Sequence, residues 1–95
     1  MLRSGKEKRR VQLAFEETLN IFDALGREPD AWEEGCLVDA LCSMAAQQYS
    51  RAGAQLIKVA IAVKSNRQPV LHAERPRRVT KEKMRLGLTH IRIHR

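Results

Sequence analysis

The chain has 95 residues, 43% of them hydrophobic, 4% aromatic and 31% charged, with a formal net charge of +7. That is one domain near the lower end of the usual size range, with too many aliphatic residues for wholesale disorder and too few aromatics for a base-stacking platform. The charge is uneven, +4 over residues 1–10, −5 over 11–63 and +8 over 64–95, which points to a polyanionic partner or to a basic tail lying on the acidic body of its own fold.

Ser4 and Glu7 form a Ser-x-x-Glu pattern that predicts a helix start through a reciprocal capping box. Val11, Phe15, Thr18, Phe22 and Leu25 then recur at steps of four and three, with Ala14 and Leu19 widening the stripe. Side chains so spaced share one face of an amphipathic helix ending near Leu25, and Gly26 suits the left-handed residue that follows a helix. Pro29 suits the first position of a second helix. Asp30, Glu33 and Glu34 put negative charge in or near its first turn, where the helix dipole favours it. Leu37, Ala40, Leu41, Met44, Ala45, Gln48 and Tyr49 form its apolar face, broadened by Val38 and Cys42. A face this wide marks the most buried helix of the domain. Cys36 and Cys42 lie on different azimuths of that helix, so they read as small core side chains in a reducing cytoplasm and not as a disulfide.

Residues 56–64 fit two templates. Ile57, Val59, Ile61 and Val63 alternate as in a half-buried strand. Leu56, Val59, Ala60 and Val63 also fall on one side of a helix, opposite Arg51, Gln55, Lys58, Ala62 and Ser65. The helix is preferred because it accounts for the polar positions as well. Gly53 is the expected end of the second helix, giving a helical hairpin; without that break one helix would run from Pro29 to Ser65. Pro69 and Pro76 then interrupt regular structure. Thr80 can cap a last helix, with Val79 and Met84 at the hydrophobic-staple positions and Met84, Leu88 and Ile91 as a narrow apolar seam. The expected fold is therefore mostly α and a single domain. A helical hairpin or small bundle covers residues 1–65, and a basic, proline-broken linker and C-terminal arm ending in a short helix covers 66–95. The alternative is α+β, with strands near 56–64 and 88–94.

The candidate anion-binding residues are Arg75, Arg77, Arg78, Lys81, Lys83 and Arg85. Cations near a helix N-terminus are disfavoured by a few tenths to about 1 kcal/mol each, while the free amides there attract anions. Cations and amides together define a place short of negative charge, which the phosphates of nucleic acid or an acidic protein surface would fill. The expectation is a small non-enzymatic protein that contacts nucleic acid or another polyanion through its basic arm. The second reading is an adaptor, inhibitor or accessory subunit that docks through an apolar helix face.

Homo-oligomerisation is expected through Leu37, Leu41, Met44, Leu56 and Val63, because the second and third elements are apolar over more of their girth than a short monomer easily covers. A helix-turn-helix at Gly53 is disfavoured: Tyr49 stands where a small residue is needed, and the following helix is too apolar for a DNA groove. His90 and His94 share a helix face but have no third ligand, and no nucleophile, base and stabiliser come together, so neither metal, cofactor nor enzymatic activity is expected. Arg77-Arg78-Val79-Thr80 resembles a basophilic phosphorylation site, although a cap is the simpler role for Thr80. No uncharged apolar run is long enough to span a bilayer and no secretory signal is evident, so a cytoplasmic location without membrane contact is expected.

Overall fold

The computed structural model describes residues 2–65 and 79–93. Its helices are α1 (Leu2–Leu25), α2 (Ala31–Ala45), α3 (Tyr49–Lys64) and α4 (Lys81–Ile93), and no strand occurs among the described residues. The strand alternatives for 56–64 and for 88–93 therefore give way to helix. Burial supplies the reason. Leu56, Val59 and Ala62 of α3 are buried, and Leu88 and Ile91 of α4 pack in the same core; these steps of three keep one helix face, whereas an alternating strand would send neighbours in each set to opposite faces.

α1 begins at Leu2, so Ser4 lies inside it and is not its cap. Phe15, Leu19 and Phe22 are wholly buried along its core face. Its end follows the sequence: Gly26 has φ of 71°. The amide of Gly26 donates to the Asp23 carbonyl at 3.1 Å and that of Arg27 to the Phe22 carbonyl at 3.3 Å. Those two bonds form a Schellman motif and satisfy carbonyls that the helix end would leave bare. Pro29 precedes the N-cap of α2 instead of opening the helix, because Asp30 takes the cap. The Glu33 amide donates to Asp30 Oδ1 and the Asp30 amide to Glu33 Oε1, both at 2.8 Å, a complete capping box. Arg27 ties the two helix ends together. Its guanidinium lies 5.1 Å over the Phe22 ring and donates to both oxygens of Glu33, at 2.8 and 3.1 Å.

The break between α2 and α3 falls at residues 46–48, not at Gly53, which sits inside α3. Gln47 adopts φ of 63°. Its amide reaches the Met44 carbonyl at 3.0 Å and the Gln48 amide reaches the Ser43 carbonyl at 2.7 Å. This is the same helix-ending motif as at Gly26, with glutamine in the position that glycine usually fills. The single long helix from Pro29 to Ser65 is likewise ruled out by this turn.

α2 packs most extensively on α3, and the pair is pinned by Asp39, which accepts from Arg51 at 3.3 Å and from Gln55. α1 leans on α3, α4 leans on α2 and touches α1, and the backbones of α3 and α4 do not approach each other closely. α1 and α2 thus touch each other and lie between α3 and α4. Val79 lies by Glu34, and Gly87 by Leu41, so α4 runs parallel to α2. Asp23 lies by Lys81 and Arg85, so α1 runs antiparallel to α4 and hence parallel to α3.

One core joins all four helices, and Met84 and Leu88 bring α4 into it. Leu37, Met44 and Leu56 are buried within this core, with Leu41 and Val63 packed half-buried against it. The residues expected to mediate self-association are therefore covered by the chain's own helices, because α2 touches α1, α3 and α4 alike. Cys36 is buried as expected, but Cys42 is exposed. Among the described residues no helix is long and apolar enough to cross a membrane.

Candidate functional site

The start of α4 is not short of negative charge. Thr80 caps the helix, its Oγ1 accepting from the Lys83 amide at 3.3 Å. Glu28 Oε1 accepts from the Lys81 amide and Glu34 Oε2 from the Val79 amide, each at 2.8 Å. The Lys81 ammonium lies 2.9 Å from Asp23 Oδ1, and Arg85 donates to Asp23 Oδ2 at 2.6 Å and to Asn20 at 3.0 Å. Hydrogen bonds from Lys81 and then Arg85 hold the Asp23 carboxyl below its ordinary value of 3.8. Three acids of the body, Asp23, Glu28 and Glu34, thus occupy the place expected to attract an outside anion. Of the candidate binding residues, Lys81 and Arg85 are neutralised within the chain and Lys83 is exposed. Arg75, Arg77 and Arg78 lie outside the described residues, as does His94.

The sequence does not mark Asp23, Glu28 and Glu34 as partners of α4. Their one signal is the −5 charge of residues 11–63, and a net charge does not say which acid faces which cation.

A different part of the molecule keeps its positive charge. Lys6, Lys8, Arg9 and Arg10 crowd into five positions near the start of α1, opposed there only by Glu7. Lys6, Arg9 and Arg10 are exposed, and no ion pair joins any of these four cations to a described residue. Lys8 shares a pocket with Tyr49 at the start of α3 and with His90 and Ile91 near the end of α4. The turns of α1 before Lys8 therefore extend past the other helices. α1 has 24 residues against 16 in α3, an excess of about 12 Å at roughly 1.5 Å per residue.

A second surface is apolar. Between α1 and α3 lies an open groove of about 390 Å³ whose lining includes Ala14, Ile21, Gly53, Ile57 and Ala60. Its small residues let the surface dip, and Ile57 stands at its edge, 60% exposed. Ile61, one turn further along α3, is equally exposed, and Leu25, one turn beyond Ile21 on α1, is 51% exposed. Arg10, Glu17 and Lys64 rim the groove. Among the described residues no three His, Cys, Asp or Glu side chains come together as metal ligands. No family model, no curated protein and no solved structure shows a significant match to this chain.

Proposed function

We propose that this chain is a non-enzymatic binding protein that contacts nucleic acid or a similar polyanion through the basic end of α1. One observation carries the reading: Lys6, Arg9 and Arg10 are exposed and unpaired with described residues, whereas the start of α4 is neutralised from within. Lys6 stands three and four residues before Arg9 and Arg10, so the three share one side of the helix. Like charges at those spacings repel by about 0.2–0.5 kcal/mol per pair. Phosphates spaced along a nucleic acid would relieve that repulsion and release counterions. Arg75, Arg77 and Arg78 belong to the same proposal as a further basic segment.

Anisotropy titrations with mixed-sequence RNA and DNA at several salt concentrations test it. The expected result is affinity that falls steeply with salt. Removing Lys6, Arg9 and Arg10 together should flatten the log–log salt slope by roughly one for each phosphate the variant no longer neutralises. The Arg77→Ala/Arg78→Ala variant reports the share of the second segment. No binding at low salt, or an unchanged slope in the Lys6/Arg9/Arg10 variant, overturns the assignment to α1.

The exposed pair Ile57 and Ile61 favours a second reading, docking on protein through the α1/α3 face. Charged substitutions at Leu41 or Leu56 would not test it cleanly, because Leu56 is buried in the core and Leu41 packs against it. Ile57 and Ile61 are the residues to change.

A further inference from the structure

Beside the basic start of α1, at one end of the bundle, four helices enclose a pocket of about 230 Å³. Lys8 lines it from α1, Met44 and Gln47 from the end of α2 and the turn that follows, Tyr49 from the start of α3, and His90 and Ile91 from the last turn of α4. Met44 is buried and Ile91 half-buried, so the floor is apolar, while Gln47 and His90 are exposed at the mouth. The volume is below the roughly 300 Å³ at which pockets for drug-sized ligands begin, which suits one ring system and little more. A bare phosphate is a poor occupant. Its charge would lie on the apolar floor, and the last turns of α2 and α4 bring two negative dipole ends against the one positive end of α3. A planar heteroaromatic ring fits both halves of the lining. Its face packs on Tyr49, Met44 and Ile91, and its polar edge meets the Gln47 amide, which can donate and accept.

We infer that this pocket takes one unstacked nucleobase, so that the polyanion bound by α1 is single-stranded nucleic acid. The inference rests on the reading of α1 above and names the class of its partner. Lys8 links the two places: it lines the pocket and belongs to the cationic run, and the exposed Arg9 and Arg10 follow it directly. Lys6 to Arg10 covers about 6 Å of helix axis at roughly 1.5 Å per residue, so the phosphates flanking a base seated in the pocket fall beside these cations. A duplex keeps its bases paired and stacked and would have to open to supply one, whereas a single strand offers its bases at little cost. The 4% aromatic content excludes a platform of several rings, but a single base needs only one ring to stack on.

Fluorescence anisotropy on the full chain at low salt compares an unstructured DNA strand of mixed sequence, a deoxyribose-phosphate strand of the same length without bases, and the corresponding duplex. The four nucleoside monophosphates serve as competitors. The base-bearing strand should bind about tenfold more tightly than the abasic one, which carries the same phosphates. Tyr49→Leu keeps an apolar side chain but removes the ring face. It should weaken the base-bearing strand about tenfold and leave the abasic strand and the duplex unchanged, with Tyr49→Phe behaving as wild type. Gln47→Gly suits the positive φ at that position, so its fold is not at risk, and it should lose affinity for the base-bearing strand alone. Equal affinity for the base-bearing and abasic strands overturns the inference while keeping the phosphate reading of α1, and so does indifference to Tyr49→Leu. A nucleoside monophosphate that binds as tightly as the strand overturns it in favour of a site for a free nucleotide. Failure of every probe to bind sinks the reading of α1 and this inference together.

Discussion

Gln47 holds φ of 63°, a backbone shape in which a Cβ costs on the order of 1–2 kcal/mol. Glycine would relieve that strain while giving back part of the gain as extra freedom in the unfolded chain. Gln47→Gly should therefore stabilise the fold by about 1 kcal/mol, read as a melting temperature several degrees higher. Gly87 offers the complementary case. It lies within α4, where its backbone shape suits any residue, and an added Cβ would sit 3.6 Å from Leu41 Cδ1 and 3.9 Å from Cδ2. Those are ordinary van der Waals distances, so Gly87→Ala should gain about 0.5–1 kcal/mol in a urea melt. The two helix ends also show what could be read in advance. Gly26 and Thr80 announce helix boundaries by their chemistry, and both serve as expected. Gln47 carries no such mark. Its conformation is imposed by the reversal between α2 and α3, so residue chemistry alone points to Gly53, which lies inside a helix.

The helices themselves were legible because their apolar residues repeat at three and four, and that period survives in the core stripes of all four. Their start points were less so. Pro29 and Asp30 compete for the first turn of α2, and Asp30 prevails because Glu33 returns its hydrogen bond. The docking of α4 depended on pairing across distant positions. Asp23 is separated from Lys81 by most of the chain, and no local pattern joins them.

That pairing gives α4 a pH dependence. Asp23 has a folded-state pKa below its ordinary value. Its contribution is therefore complete above the unfolded value, near pH 4, and is lost as pH falls through the lower folded value. Asp23→Asn should be less stable than wild type at neutral pH, and the two should converge in acid. Urea melts at a series of pH values will show whether the gap closes in that window. A gap that persists at the acid end would mean that the carboxylate charge is not what Lys81 and Arg85 recognise.

At the scale of the molecule, the amount of positive charge was legible and its availability was not. Composition counts cations, but the arrangement of the helices decides which of them meet acids. α4 lies beside the acidic end of α1 and spends Lys81 and Arg85 there, while the other end of α1 runs past its neighbours. The same arrangement keeps the backbones of α3 and α4 apart. α4 is held along α1, α2 and the turn between them, while α3 forms with α2 the most extensive pairing in the fold. Native-state hydrogen exchange should thus find the amides of α4 opening at a lower free energy than those of α2 and α3. Exchange at one shared rate in all four helices would contradict this. Because the detached helix would take Lys81 and Arg85 with it, the molecule's first step of coming apart would also free Asp23 and leave a remnant with a more acidic flank.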